Sequence, residues 1–128
     1  MKKSIEYVAV KSVEKCRRKK VLNEVRIFHD LDHVNVLKFY NWYETRNHLW
    51  IIFEYAAGGD LLQLIEQDKK LPENSTRLFG KELISGLLYL HSHGILYCDL
   101  KPSNVLLNEF GTLKLADFGL ARKIVDLV

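Results

Sequence analysis

The chain has 128 residues, of which 48% are hydrophobic and 27% are charged, and its formal net charge is +3. These values are typical of one small globular domain rather than of a disordered or fibrous chain. The charge excess is too small to imply a nucleic-acid or membrane partner, and no apolar run reaches the roughly 18 residues that a membrane span needs. Two cysteines, Cys16 and Cys98, without metal-binding spacing favour a reducing, intracellular setting.

The first half of the chain reads as strand, helix and hairpin. Alternation at the start predicts a strand over 5–13. The basic run "KCRRKK" at 15–20 leads into a helix-period segment, whose apolar positions are Val21, Leu22, Val25, Phe28 and Leu31. Two segments rich in β-branched and aromatic residues, 36–44 and 48–55, flank the polar "TRN" and predict a hairpin.

The second half is mostly helical and then breaks into short apolar segments. Asp60 suits the N-cap of a short helix through Gln67, and Pro72 with Glu73 suits the first turn of a longer one that Gly94 ends. Short segments at 95–97, 105–107 and 113–116 follow, with the turn "NEFG" between the last two. This order predicts an α+β fold in two lobes joined near 55–59.

Four polar residues of the last third form a chemical constellation. "ILYCDLKPSN" places Asp99, Lys101 and Asn104 within six positions, and Asp117 follows Asn104 by thirteen residues in "ADFG". Asp99, Asn104 and Asp117 could each be an ordinary turn or capping residue when it stands alone. Together, Asn104 and Asp117 offer oxygen ligands of the kind that Mg²⁺ accepts, Asp99 suits proton transfer from a hydroxyl, and Lys101 suits a phosphate. The set predicts phosphoryl transfer, which depends on positioning and charge neutralisation.

These motifs resemble those of the protein kinase family, whose catalytic loop reads H-R-D-L-x-x-x-N and whose metal motif is D-F-G. Here they stand as "YCDLKPSN" and "DFG", and "VAVK" at 8–11 is similar to the family's V-A-I-K. The resemblance covers nearly the whole chain. It implies a two-lobed protein-kinase-like fold that binds ATP and Mg²⁺ and phosphorylates serine or threonine hydroxyls of a protein substrate, since a lysine in "DLKPSN" is the serine/threonine form.

The resemblance also implies a role for individual residues. Asp99 would be the catalytic base, Lys101 the phosphate-side cation, and Asn104 and Asp117 the metal ligands. Lys11 would hold the α- and β-phosphates while paired with Glu24. The implied adenine and ribose contacts are Ala9, Phe53 as gatekeeper, Glu54, Ala56, Asp60 and Leu106. The hydrophobic column between the lobes would be Phe28, Phe39, Tyr97 and Phe118.

Departures from the family pattern set further expectations. We expect a partial N-lobe over 1–55, a hinge over 56–60 and the start of the C-lobe through "DFG" over 61–128. The fold would thus be truncated at both ends, without the Gly-rich loop or the activation segment. Cys98 stands where the family motif has arginine.

Alternative interpretations stay open at this point. The chief one is a pseudokinase-like interaction module, in which the family's fold binds partners and transfers nothing. The run at 15–20 could contact nucleic acid, although a short basic run is usually a solvated loop. Within the kinases the chain resembles the plant RUNKEL-like members of the Fused/ULK branch, which implies a cytoplasmic, cytoskeleton-associated protein. Microtubule association is expected from that resemblance alone, and no residue here carries it.

Overall fold

The computed structural model describes residues 6–116 and 121–123, apart from the side chain of Arg122. Its strands are β1 (Val8–Glu14), β2 (Phe39–Glu44), β3 (His48–Glu54), β4 (Gly59–Asp60), β5 (Ile95–Leu96), β6 (Val105–Leu107), β7 (Leu113–Leu115) and β8 (Arg122–Lys123). Its helices are α1 (Arg18–Phe28), α2 (Leu61–Asp68) and α3 (Glu73–Ser92), with single 3₁₀ turns at Lys15–Arg17 and Pro102–Asn104. The predicted α+β arrangement is confirmed. None of the helices in these ranges is long and apolar enough to cross a membrane.

The first half forms an antiparallel sheet in the order β1-β3-β2. Strand β3 is central because it is the most apolar of the three, and Leu49 and Ile51 are each only 1% exposed. The register places Ala9 of β1 opposite Phe53 of β3. Helix α1 contributes Phe28 to the same core, so the sheet has one buried face.

Helix α1 begins at Arg18, inside the basic run and three residues before the first predicted apolar position. Lys15 and Arg18 each lie 3.3 Å from the carboxylate of Glu44 at the end of β2. The hydrogen bond from Lys15 and the charges of both cations hold the pKa of Glu44 below its usual value. Part of the basic run is therefore paired within the chain, and the run forms a 3₁₀ turn and the start of α1 rather than the expected loop.

The helices of the second half begin and end at the predicted signals. Asp60 Oδ1 accepts a hydrogen bond from the backbone N–H of Gln63, 2.8 Å away, and so caps α2. Pro72 is the N-cap of α3, one residue outside the helix proper. Gly94 follows α3 with φ +72°, the left-handed conformation that glycine adopts without strain.

A junction between strand β7 and the loop after α1 joins the two halves. The backbone N–H of Leu115 donates to the carbonyl of Asn35 at 2.8 Å, and its carbonyl accepts from the N–H of Leu37 at 2.9 Å. The side-chain amide of Asn35 adds a bond to the carbonyl of Leu113 at 2.9 Å. On its other side β7 pairs with β6 in a second sheet, ordered β4-β6-β7. The exact division into lobes, at the predicted hinge 56–60, stays a prediction.

Two glycines of α3 make a matched test of this junction. A methyl group at Gly86 would lie 3.1 Å from the carbonyl oxygen of Asn35 and 3.0 Å from a methyl of Leu115, whereas one at Gly80 would meet nothing within 4 Å. The Asn35 carbonyl cannot give way easily because it is hydrogen-bonded to Leu115. We expect Gly86→Ala to lower the free energy of unfolding by about 1–3 kcal/mol. Gly80→Ala should raise it by about 0.5–1 kcal/mol through helix propensity.

Urea denaturation followed by circular dichroism measures both changes. Equal effects of the two substitutions would contradict the close packing of α3 on the junction.

Candidate active site

Asp99 and Asn104 are held together by the 3₁₀ turn between them. The turn begins at Pro102, whose fixed φ suits a first helical position, and the N–H of Asn104 donates to the carbonyl of Lys101 at 2.9 Å. The side-chain nitrogen of Asn104 donates to the backbone carbonyl of Asp99 at 2.9 Å and to its carboxylate Oδ2 at 3.0 Å. Both amide hydrogens are thus used within the loop, and Oδ1 of Asn104 is the end left for another ligand.

Lys101 lies at the open side of this pair. Its ammonium nitrogen is 3.9 Å from Asp99 Oδ2, and 55% of its side chain is exposed. An ion pair this long and exposed contributes little to stability. The ammonium is therefore free to move to a bound anion.

Asp117 and Phe118 lie outside the described residues, but the residue before them is fixed. The N–H of Ala116 donates to the carbonyl of Asn104 at 3.0 Å. The hydroxyl of Tyr97, a residue only 3% exposed, donates to the carbonyl of Ala116. Ala116, the residue before Asp117 in the sequence, therefore lies directly beside Asn104. Sequence reasoning placed Tyr97 in the hydrophobic column and missed the role of its hydroxyl.

The predicted metal ligands form an all-oxygen donor set. Within residues 6–116 and 121–123, no three His, Cys, Asp or Glu side chains cluster so as to hold an ion without help. Mg²⁺ is commonly bound through only one or two protein oxygens together with phosphate oxygens and water. Oδ1 of Asn104 accepts no hydrogen bond from another described residue. Together with the carboxylate of Asp117, this oxygen fits Mg²⁺ bound with a nucleotide.

Lys11 and Glu24 are not paired in this structure. Lys11 is exposed on β1, and its side chain makes no ion pair or hydrogen bond with another residue of the described ranges. Glu24 is buried on α1, with 7% of its surface exposed, and it interacts with a residue other than Lys11. The ion pair between them stays a prediction that this structure does not form.

The predicted adenine contacts lie along the end of β3 and the segment after it. Ala9 faces Phe53 across the β1–β3 ladder, and both are half-buried. The Phe53 ring packs against Phe28 at a centroid distance of 5.5 Å and against Phe39 at 6.2 Å, and those two rings are 5.3 Å apart. The predicted column is therefore formed at Phe28 and Phe39. The N–H of Ala56 makes no hydrogen bond to another described residue, so it remains a donor for a ligand.

Asp60 and Leu106 are brought side by side. They are partners in the β4–β6 pairing, and both are half-buried. One carboxylate oxygen of Asp60 caps α2, as described above, which fixes the side chain in place. Its predicted contact with a ribose would therefore use the second oxygen.

The carboxylate of Glu54 has a structural partner that the sequence analysis did not identify. It lies 3.0 Å from the ammonium of Lys114, whose side chain is only 9% exposed, and its Oε2 accepts from the N–H of Lys38 at 3.1 Å. The end of β3 is thereby linked to β7. A lysine enclosed by apolar neighbours in "LKLA" was the available signal, because a buried ammonium needs an acidic partner.

Cys98, directly before Asp99, has φ +66°. This left-handed conformation is uncommon for residues other than glycine and is tolerated where the surroundings enforce it. The thiol is exposed and donates to the carbonyl of Leu96 at 3.5 Å. The backbone at Cys98 therefore sets the direction in which the chain enters Asp99.

Comparison with known proteins follows the same motifs. A model of the protein kinase domain matches residues 1–127. The chain is 60% identical over 126 residues to the serine/threonine-protein kinase RUNKEL of Arabidopsis thaliana, covering 98% of this chain and 9% of that protein. It is 47% identical over 121 residues to the serine/threonine-protein kinase ULK4 of Mus musculus, covering 94% and 9%. Against cell division control protein 7 of Schizosaccharomyces pombe, identity is 39% over 127 residues, covering 95% and 12%. The chain thus spans about a tenth of the length of these relatives.

The Glu54–Lys114 pair generates a test of the link between β3 and β7. Glu54→Gln leaves a buried ammonium without its counter-charge, so we expect a loss of about 3 kcal/mol in the free energy of unfolding. Lys114→Met should cost less, because Glu54 keeps 23% of its side chain exposed and retains the bond from Lys38.

The double variant should cost less than the sum of the two, by about 1 kcal/mol or more, in a urea double-mutant cycle. Glu66→Gln on the exposed face of α2 is the matched control, with no expected effect. Additive costs would show that the two side chains do not act as a pair.

Proposed function

Because the chain belongs to the protein kinase domain family, we propose that it is the catalytic part of an active serine/threonine protein kinase. Such an enzyme transfers the γ-phosphoryl group of ATP, with Mg²⁺, to serine or threonine hydroxyls of protein substrates. The observation that carries the proposal is the orientation of Asn104. Its amide hydrogens bind Asp99 and its backbone carbonyl accepts from the N–H of Ala116, so the proposed base, one proposed metal ligand and the residue before Asp117 are held together.

Asp99 acts as the base in this proposal. Its Oδ2 is occupied by Asn104, whereas its Oδ1 accepts no hydrogen bond from another described residue and is available for the substrate hydroxyl. The hydroxyl proton passes to Asp99 as the new oxygen–phosphorus bond forms. The bond from the γ-phosphorus to the bridging oxygen breaks, and ADP keeps that electron pair.

Lys101 and Lys11 supply positive charge to the phosphates. Lys101 can move from Asp99 to the transferred group, because its ion pair is long and exposed. Lys11 lies on the strand that carries Ala9, the predicted cover of the adenine ring. Asn104 Oδ1 and Asp117 would hold Mg²⁺, which when bound neutralises the charge on the β- and γ-phosphates.

The nucleotide base would be placed by backbone groups and two aliphatic side chains. The N–H of Ala56 is an open donor, and the backbone of Glu54 is the second proposed contact. Ala9 and Leu106 would lie on the two faces of the ring. Phe53 would close the inner end of the adenine site, because its ring is packed against Phe28 and this contact restricts its rotamer.

The location of the protein is proposed from its resemblance to the RUNKEL-like branch alone. On that basis we place it in the cytoplasm in association with the cytoskeleton, specifically microtubules. Co-sedimentation of the full-length protein with assembled tubulin is the measurement that checks this.

The catalytic assignment is tested in the full-length protein with three lysine and aspartate variants. Asp99→Asn should lower the rate of γ-phosphate transfer to a generic protein substrate by about 10²–10⁴-fold while Mg-ATP binding is kept. Lys11→Met should weaken Mg-ATP binding in calorimetry. Lys81→Met removes an exposed lysine of α3 and should change neither quantity. The protein would instead be an interaction module if the unsubstituted form bound Mg-ATP but transferred phosphate no faster than the Asp99→Asn variant.

Cys98 generates a second prediction, about regulation. In kinases with arginine at this position, the guanidinium makes charge-assisted bonds to a phosphate on the activation segment and so orders it. A thiol carries no fixed positive charge and cannot do this. We therefore expect phosphatase treatment of the full-length protein to leave most of its activity intact.

Cys98→Arg should create a sensitivity to phosphatase that the parent protein lacks. This account of the cysteine would be refuted if the parent protein, with Cys98 in place, lost most of its activity when an activation-segment site was dephosphorylated.

A further inference from the structure

A cavity of about 580 Å³ opens beside the end of β3, apart from the catalytic loop. Of the predicted nucleotide contacts it shares only Glu54, and none of Asp99, Lys101 and Asn104 borders it. Its walls come from the start of β1, from β2, from the segment after β3 and from the turn between β6 and β7. The lining residues are Glu6, Tyr7, Val8, Tyr40, Glu54, Tyr55, Ala57, Asn108, Glu109 and Phe110.

Four aromatic rings of this cavity are largely exposed. The exposed fractions are 71% for Tyr7, 50% for Tyr40, 50% for Tyr55 and 83% for Phe110. Tyr7 and Tyr55 form a tilted pair with centroids 5.9 Å apart. Single exposed aromatics need no explanation, but a cluster around one cavity is typical of a binding surface.

The backbone that carries two of these rings is ordered. Tyr40 lies at a register shift between Phe39 and Asn41, where β2 carries one residue more than β3, and such bulges redirect a side chain. Phe110 lies on a turn in which Asn108 Oδ1 accepts from the N–H groups of Phe110 at 3.0 Å and Thr112 at 2.8 Å. These rings are therefore presented on ordered backbone, which lowers the entropy that a ligand would have to remove.

The charge of the cavity is negative. Among the residues that the structure describes, no lysine or arginine lines it, and Glu6 and Glu109 make no ion pair with any of them. The third carboxylate, Glu54, is neutralised by Lys114. Aromatic faces attract cations through their quadrupole, and arginine stacks on them in addition. Rings and carboxylates together favour a guanidinium over a neutral or acidic group.

We propose that this cavity docks an arginine-bearing segment of a partner protein. The planar guanidinium would lie against the rings and donate hydrogen bonds to the carboxylates of Glu6 and Glu109. This contact is separate from phosphoryl transfer, because the cavity does not include the catalytic residues. Its occupant would bind whether or not nucleotide is present.

The test uses the full-length protein and a fluorescein-labelled ten-residue peptide with two arginines among leucine and glycine. The matched probe has both arginines replaced by citrulline, which keeps the shape and removes the charge. Fluorescence anisotropy should show binding of the arginine peptide, at least tenfold weaker binding of the citrulline peptide, and no displacement by Mg-ATP.

Two variants locate the binding to the cavity. Glu109→Gln and Phe110→Ala should each weaken binding about threefold or more. Both residues are exposed, so neither change should unfold the protein. Glu66→Gln on α2 and Leu88→Ala, which is 63% exposed on α3, are the matched controls and should have no effect.

The proposal is overturned by equal binding of the two peptides, by displacement with Mg-ATP, or by no binding at millimolar protein. It is likewise overturned if Glu109→Gln and Phe110→Ala bind as the control variants do. None of these outcomes bears on the kinase assay, so failure here leaves the proposed activity untouched.

Discussion

The two backbone hydrogen bonds of Leu115 are the constraint on which the site depends. They attach β7 to the loop after α1, and the residue that follows β7 is Ala116, which the carbonyl of Asn104 and the hydroxyl of Tyr97 then hold. Without this attachment, Ala116 would have no fixed position relative to the loop that holds Asp99 and Asn104. A short strand of three residues thus fixes the position of Ala116 relative to the loop that holds Asp99 and Asn104.

Features that depend on neighbouring residues could be predicted from the sequence. The Asp60 cap, the left-handed Gly94 and the hairpin between 36–44 and 48–55 each rest on a signal a few residues long, and the structure has all of them. The start of α1 was predicted three residues late, because the basic run contains no apolar position to show that the helix had begun. Hydrophobic periodicity indicates which residues of a helix are buried, but it does not show where a solvated first turn begins.

In the candidate site, too, contacts within one loop could be predicted, whereas contacts between distant elements could not. Asp99, Lys101 and Asn104 lie within one short loop, and the structure brings them together as their spacing indicates. Lys11 and Glu24 lie on different elements, and their predicted contact depends on how β1 and α1 are placed. The pair between Glu54 and the buried Lys114 was missed because its members are far apart in the chain. Sequence spacing reports local geometry well, whereas contacts between distant elements need the packed fold.

The same junction has a consequence for synthesis on the ribosome. Asn35 and Leu113 are 78 residues apart in the chain, so the loop after α1 emerges long before its partner strand exists. At a translation rate of roughly 5–20 residues per second, about 4–16 s pass between synthesis of that loop and synthesis of β7, and its polar groups lack their partners during this time. During this interval the hairpin of the first half can form, because its contacts are local. The nascent first half therefore exposes the face that β7 later covers, and it is a natural substrate for chaperones until translation passes Leu115.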